Sequence, residues 1–342
     1  MATSVAYRDD WTIEEAIAHA PRFWRFLAEV TSGDAELALF YVRWFGYSLF
    51  GHSLATKFLI LSGKLGFNGK VAIKRLMLHV MGDYAVELDQ GFYERRRWTP
   101  GANEARADLL KLKGVRAAFI SEPTGSFNTE VLKNHTGGDR ITARDLHRGS
   151  KDIQSWQATH TITFLTNDIP PVSDVRLAVV DRVMVADFRE HFTGNDPSKP
   201  GYKDEKLDAD LAHEGEAVLR ILVDAAVAWH EALQDGEKGL EPIPARVREA
   251  SKSYMDSNDA IGPFLDEACR LGDDEKVAPV RLYEAYKDWF ERSGLDGDAL
   301  SGQAFGSAIG KRFTKAGKPP TWRGLAPLGA MALAEREGRD AA

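Results

Sequence analysis

The chain has 342 residues, 44% of them apolar and 28% charged, with a net charge of −7 and one cysteine, Cys269. That balance predicts a globular protein with a large core, excludes an internal disulfide, and does not suggest a generally basic nucleic-acid binder. The N-terminus lacks a signal pattern, Arg43 interrupts the best apolar run, and no two of the nine histidines lie closer than twelve positions; these features argue against a leader, a membrane span and a local two-histidine metal motif.

Residues 11–50 read as helices. Ile13, Ala16, Ile17, Phe23, Phe26, Leu27 and Val30 recur at steps of three and four. Thr12, with Glu15 three positions on, has the form of a capping box. Ser32-Gly33-Asp34 breaks the pattern, and a second helix is expected from Ala35 to about Leu49, its aromatics Phe40, Tyr41, Trp44 and Phe45 serving as core.

From 51 to 200, strand and helix patterns alternate, which predicts an α/β domain with a mostly parallel sheet. The candidate strands are Phe58–Leu61, Val115–Ser121, His160–Thr166 and Val179–Ala186, with helical patterns at 71–90, 103–112 and 129–135. Asp139–Trp156 reads as a hairpin with a polar tip around Asp145, His147 and Arg148. Residues 195–204 form a loop, Asp204–Ala232 is helical, and Pro242 and Pro244 mark a boundary before another helix. A C-terminal unit follows, with helices at 259–271, 280–293 and about 301–315 and a wing at 317–328, an order compatible with a winged helix. Residues 331–342 read as a frayed tail.

The stretch with most chemistry begins at Lys57. An apolar strand leads into Gly66-Phe67-Asn68-Gly69-Lys70, and a helical pattern leads out. A strand, a Gly-rich turn and a helix N-terminus make an anion site, because backbone N–H groups converge there and a lysine reaches terminal phosphates. Two details depart from the standard loop. Lys64 stands where a glycine is expected, and Val71 stands where a Ser or Thr hydroxyl would hold Mg²⁺. Downstream, one strand ends at Ser121-Glu122 and another at Asn167-Asp168, both at carboxyl ends where ligands of open sheets bind. A carboxylate there can orient the attacking water and help hold Mg²⁺, and an asparagine can bond the γ-phosphate. Arg182 precedes a third strand and so lies at the opposite edge from its own site, from where it could reach a neighbour's nucleotide.

The order of these motifs resembles the helicase part of phage, plasmid and poxvirus primase-helicases, the superfamily 3 helicases with an AAA+-like core. The matching residues are Gly66, Asn68, Gly69 and Lys70; Arg116 and Glu122; the run from Leu132 and Lys133 through Thr136, Gly137, Gly138 and Asp139 to Ile141, Thr142, Ala143 and Arg144; then Thr166, Asn167, Pro170, Arg182 and Phe188. The resemblance is densest over about 51–190 and continues loosely to about 330 through Tyr283, Tyr286 and Trp289.

The resemblance implies a hexameric ring that hydrolyses ATP with Mg²⁺ between subunits and translocates on single-stranded DNA in phage or plasmid replication, in the cytoplasm of a bacterial cell. It implies that Gly66, Asn68, Gly69, Lys70 and Val71 cradle the nucleotide and that Lys70 contacts the β/γ-phosphates. Glu122 is then the Walker B acid and the protein's contact to Mg²⁺, Asn167 the sensor and Arg182 the finger. The hairpin would enter the channel, with Lys133, Arg140, Arg144, His147, Arg148 and Lys151 on the DNA backbone, a contact that is salt-sensitive and sequence-blind. The partition it implies is a helical collar at 1–50, an ATPase core at 51–200, a helical linker or lid at 201–250, a winged-helix-like domain at 251–330 and a tail at 331–342. Residues 1–50 leave no room for a primase unit, so a separate primase or polymerase is the expected partner. Val71 leaves two alternatives beside an active motor: weakened ATPase, or a nucleotide-binding initiation scaffold without processive unwinding. Lys311, Arg312, Lys315, Lys318 and Arg323 occur with no acid between Asp298 and Glu335, which favours either the dipole of their own helix or a DNA contact.

Overall fold

The computed structural model describes residues 1–52, 54–95, 107–144, 153–172, 181–236, 240–259, 261–293 and 298–329. The chain divides into two compact units at Tyr254/Met255. Among the described residues, no helix is long and apolar enough to cross a membrane.

The first unit opens with α1 (Ile13–Ala18), α2 (Pro21–Val30) and α3 (Ala35–Phe50). The capping box forms as read: Thr12 Oγ1 accepts from the Glu15 N–H at 3.2 Å, and the Thr12 N–H donates to Glu15 Oε2 at 2.8 Å. Pro21 splits the first helical stretch in two, because it supplies no N–H to continue α1 but suits the first turn of α2. Asp34 caps α3 by accepting from the Leu37 N–H.

The strands follow the apolar runs. They are β1 (Phe58–Ser62), β2 (Ala85–Leu88), β3 (Ala117–Ser121), β4 (Arg140–Arg144), β5 (Ile153–Gln157), β6 (Thr161–Thr166) and β7 (Val183–Asp187). Among the described residues the main sheet is all parallel, in the order β2-β3-β6-β1-β7. Its central strands are buried along nearly their whole length, which is why they read as continuous hydrophobic runs. On one face α3, α4 (Lys70–Met81) and two further helices, α6 (Leu207–His213) and α7 (Gly215–Gln234), share a core with Leu59, Leu61, Phe119 and Leu165. On the other, Phe58, Phe127 and Phe164 pack with ring centroids 4.7 to 6.4 Å apart. The helices of residues 1–50 therefore belong to the same core as the sheet. β4 and β5 pair antiparallel, Arg140 opposite Gln157 and Arg144 opposite Ile153, after α5 (Thr129–Thr136). These are the arms of the expected hairpin; its tip lies outside the described residues.

The helical pattern expected at 71–90 ends early. α4 stops at Met81, and β2 forms the sheet edge. Gly82 has φ 55° there, and a side chain on it would stand 2.6 Å from the Ala2 carbonyl. The N-terminal segment crosses at this point, tied to Asp83 through hydrogen bonds of 2.9 and 3.1 Å. A local period cannot register such an obstacle. α8 (Ala245–Ser257) follows Pro244 and latches onto the sheet. Arg246 pairs with Asp187 Oδ1 at 2.6 Å and donates to the carbonyls of Asp187 and Thr31.

The second unit runs α9 (Gly262–Ala268), β8 (Cys269–Val277), α10 (Pro279–Ser293), α11 (Gly302–Gly310), β9 (Lys315–Ala316) and β10 (Thr321–Pro327). Its sheet is antiparallel in the order β8-β10-β9. Phe264, Tyr286, Trp289, Phe305 and Trp322 form its core, with Tyr283 and Phe290 partly buried against it. The helix expected at 259–271 is replaced by strand from Cys269 onward. Pairing with β10 overrides the local pattern there. The proposed tail, 331–342, lies outside the described residues.

Candidate functional site

The loop between β1 and α4 is held from within. Asn68 is buried, and its Nδ2 donates to the Leu65 carbonyl at 2.6 Å and the Gly63 carbonyl at 3.4 Å. Gly63 fits because a Cβ there would stand 2.3 Å from Asn68 Nδ2 and 2.9 Å from the Phe188 carbonyl. Gly69 opens α4 with φ 92°, and a Cβ on it would meet Val30 Cγ1 of α2 at 2.4 Å. Both glycines are therefore set by close approach. Gly66 is different: its surroundings are open, and its carbonyl meets His191 Nδ1 at 2.6 Å. Phe67, in the left-handed region at φ 56°, is 64% exposed with the Lys203 ammonium 5.4 Å from its ring.

Lys70 leaves the first turn of α4 and turns back under the sheet ends. Its ammonium donates to the Thr166 carbonyl at 2.7 Å, the Gly63 carbonyl at 3.0 Å and Asn167 Oδ1 at 3.0 Å. Burial pushes its pKa down to about 8, against the opposing pull of the Glu122 and Asp168 carboxylates. Glu122 follows β3 with φ 46°, a strained conformation for a side chain of its size. Its Oε2 accepts the Asn167 backbone N–H at 3.2 Å. Asn167 thus joins the two ends, accepting a hydrogen bond from Lys70 on its amide oxygen and donating one to Glu122 from its backbone N–H.

Behind them lies a second cation. Lys74, one turn along α4, pairs with Glu87 of β2 at 2.5 Å and donates to Ser121 Oγ at 2.9 Å. Burial pushes the Glu87 carboxyl up, but the hydrogen bonds from Lys74 and Ser121 outweigh it and hold the group below its ordinary value. This network ties β2, β3 and α4 together directly before Glu122.

The structure therefore gathers Lys70, Glu122 and Asn167 at the carboxyl ends of β1, β3 and β6. It places Arg182 elsewhere. Its carbonyl accepts from Phe58, the first residue of β1, at 2.9 Å, and its Nη1 donates to Thr136 Oγ1 at the end of α5 at 2.9 Å. Of the expected DNA contacts, Arg140 is exposed and donates to Ser155 Oγ and to the Ser155 carbonyl, both at 3.2 Å, and Lys133 is half-buried on α5. Arg144 stands opposite Ile153 in register. Asp145, His147, Arg148 and Lys151 lie outside the described residues.

A cavity of about 570 Å³ opens on the outer flank of the loop. Phe67, Gly69 and Val71 form one side, Phe26 of α2 another, and Phe192 and Tyr202 a third. Sequence reading missed this cavity. Its aromatics come from three distant segments, and only Phe67 belongs to a motif. Val71 is 45% exposed on its wall.

Among the described residues no cluster of three or more His, Cys, Asp or Glu forms a resident metal site. The side chain at 71 is a hydrocarbon, and the Ser121 hydroxyl is engaged by Glu87 and Lys74. The exposed Glu122 carboxylate fits an ion that arrives on a nucleotide's own phosphates and keeps most of its water.

A model of the Poxvirus D5 protein-like family matches residues 256–324. A Frog virus 3 (isolate Goorha) protein named "Putative helicase 022R" is 27% identical over 231 residues, covering 66% of this chain and 23% of that protein. "Putative helicase 184R" of Invertebrate iridescent virus 6 is 27% identical over 251 residues, covering 67% and 25%. "Putative helicase L207/L206" of Acanthamoeba polyphaga mimivirus is 24% identical over 262 residues, covering 71% and 26%. The chain thus spans about a quarter of the length of the curated relatives it matches. Among solved structures, the apo C-terminal region of NrS-1 has a TM-score of 0.49 at 11% identity, covering 84% of this chain and 61% of that one. The motif order over 66–188, the match over 256–324 and the similarity to these viral proteins all point to the poxvirus D5-like superfamily 3 helicases as what this chain resembles.

Proposed function

We propose that this chain is the nucleotide-driven motor part of a replication helicase, with ATP as fuel and single-stranded DNA as track. The observation that carries this reading is the meeting of Lys70, Glu122 and Asn167 at three adjacent strand ends beside a closed phosphate-type loop. In this reading the γ-phosphate displaces the Lys70 ammonium from the Gly63 and Thr166 carbonyls. Glu122 then orients water and the Mg²⁺ that accompanies the nucleotide, while Asn167 reports phosphate occupancy from one to the other. Base and ribose occupy the neighbouring cavity, whose size suits such a ligand and whose wall sets the rings of Phe67, Phe192 and Tyr202 beside charged groups such as Arg75 and Asp208.

Arg182, at the far end of the sheet, serves the nucleotide of a neighbouring copy, so the working form is a ring of six. The β4–β5 hairpin contacts the strand, the helices of residues 1–50 form the collar, the second unit is a winged helix, and a separate primase or polymerase completes the replication machinery. ATPase and strand-displacement assays on one preparation, with particle images, test this reading. ATP-dependent displacement by six-fold rings is the expected result, and hydrolysis indifferent to DNA or displacement without ATP would sink it. One observation favours a second reading, a nucleotide-binding initiation scaffold: position 71 carries an exposed hydrocarbon where the loop pattern calls for a metal-binding hydroxyl.

The low Lys70 pKa carries a pH dependence. Only the ammonium binds phosphate, and bound phosphate raises its pKa. Nucleotide affinity is therefore flat below pH 8 and falls above it, by up to about tenfold per pH unit. Stability runs the other way. The unfolded chain keeps this proton up to about pH 10.5, so the group's contribution to stability rises with pH between 8 and 10.5. Nucleotide titrations from pH 7 to 9.5 read the first effect, and an affinity constant across that range would show that Lys70 does not touch phosphate.

A further inference from the structure

The segment that follows β7 runs beside the phosphate-type loop and is fastened to it at both ends. The Phe188 N–H donates to the Ser62 carbonyl at 2.6 Å, and the Phe192 N–H donates to the Phe67 carbonyl at 2.7 Å. Between these ties His191 Nδ1 meets the Gly66 carbonyl at 2.6 Å. A carbonyl only accepts, so this nitrogen carries the proton. Burial alternates along the segment: Phe188 is buried and Phe192 half-buried, whereas Arg189 and His191 are exposed. Phe188 stacks on Tyr41 of α3, with ring centroids 5.8 Å apart. The side chains left outside, next to a Gly-rich turn, are therefore an arginine and a histidine.

Arg189 is a cation in excess. Asp187 closes β7 and is shared by two arginines. Arg246 is the inner one, 11% exposed and 2.6 Å from Oδ1, with further hydrogen bonds to the carbonyls of Asp187 and Thr31. Arg189 is the outer one, 63% exposed and 2.5 Å from Oδ2. The adjacent acid, Glu190, is bonded to Ser32 Oγ at 2.5 Å. One carboxylate neutralises one arginine, and Arg246 holds the buried place. An exposed ion pair is weak, so Arg189 can transfer to an incoming anion while Arg246 keeps Asp187 paired.

Strand order decides which part of a nucleotide Arg189 would meet. β1 lies between β6 and β7. Lys70, Asn167 and Glu122 gather toward β6 and β3. Arg189 follows β7 on the opposite flank, where Phe192 enters the cavity wall. Gly63 stands between the two flanks. Its carbonyl accepts from Lys70 at 3.0 Å, and a Cβ on it would lie 2.9 Å from the carbonyl of Phe188, the residue that leads into Arg189. A nucleotide with its γ-phosphate at Lys70 and its base in the cavity passes its α- and β-phosphates through this position.

We infer that Arg189 is a second cationic contact for the nucleotide and engages the α- and β-phosphates from the β7 side. His191 is a positioning residue that holds the loop against this segment. The inference rests on the nucleotide reading of the loop and adds the residue that grips the diphosphate part. A guanidinium fork suits two phosphate oxygens at once, and the ties at Ser62, Gly66 and Phe67 fix its backbone before any ligand arrives.

Calorimetric titration of the full chain with ADP and with ATP tests the assignment. Arg189→Ala is expected to weaken both nucleotides by the same factor, about tenfold, because both carry the α- and β-phosphates. Arg189→Lys keeps the charge without the fork and is expected to recover part of that loss. Lys199→Ala removes another exposed cation from the same connecting segment, one paired with Asp196, and is expected to leave both affinities unchanged. The unfolding midpoint of Arg189→Ala is expected to match the wild-type value. Full affinity in Arg189→Ala, a loss confined to ATP, or an equal loss in Lys199→Ala overturns the assignment and leaves the loop as a nucleotide site. A folded wild-type chain that binds neither nucleotide overturns the nucleotide reading itself, and this assignment with it.

Discussion

Lys70→Ala weakens nucleotide binding by about 100-fold and removes hydrolysis, while the fold survives. The expected size follows from what the ammonium does. It makes three hydrogen bonds of 2.7 to 3.0 Å in a buried position, and phosphate oxygens would take over those to the loop and strand carbonyls. Charge-assisted bonds of this kind contribute about 1.5–3 kcal/mol each, so losing two of them costs roughly two orders of magnitude in affinity or more. The stability change is much smaller. The charged group is itself unfavourably buried, as its lowered pKa shows, so its removal relieves a desolvation cost while leaving two carbonyls less well satisfied. We expect a loss of less than about 2 kcal/mol, read by urea unfolding beside calorimetric nucleotide titration. Unaltered nucleotide affinity in a folded variant would mean that the loop is not a phosphate site.

The second large effect runs in the opposite direction. Val71→Ser raises the hydrolysis rate by about tenfold or more and shifts its Mg²⁺ dependence to lower concentration. Val71 sits at the start of α4 with its side chain 45% exposed, so serine meets no packing penalty there and suits the first helical turn. What it adds is a hydroxyl where a nucleotide-borne Mg²⁺ needs an oxygen. In the proposed function Glu122 would be the only protein carboxylate offered to that ion, and phosphate and water would supply the rest. A tenfold gain corresponds to about 1.4 kcal/mol of transition-state stabilisation, a modest demand on one metal ligand. Steady-state rates with a Mg²⁺ series check it. Unchanged rates and unchanged metal dependence would show that position 71 does not limit the chemistry, and the scaffold reading would lose its main support.

How legible was the site? Lys70, Glu122 and Asn167 each end or follow an apolar run, and a parallel sheet brings such ends to one edge, so their meeting follows from strand order. The paired hairpin arms followed in the same way from β-branched residues flanking a polar tip. Lys74 was invisible, since a lysine one turn after another on a helix normally reads as solvated. Its role depends on Glu87, and Glu87 lies in a strand that the helical pattern of 71–90 concealed. Phe26, Phe192 and Tyr202 carry no signal either, because a cavity wall is a property of three separate segments meeting.

The amino-acid sequence by itself determined the alternation of strands and helices, the capping box at Thr12 and the residues at the strand ends, because each rests on local periodicity or on a short motif. The tertiary structure decided what lies beyond the end of α4, where Gly82 caps the helix at φ 55° under the crossing N-terminal segment and β2 follows. It also decided why Gly69 must be glycine, since Val30 of another helix stands 2.4 Å from where a Cβ would be. In the loop, the sequence by itself shows Lys64 where a glycine is expected and no hydroxyl at Val71. Packing accounts for Gly63 and Gly69 as points of close approach and leaves Val71 as the one departure with a chemical consequence.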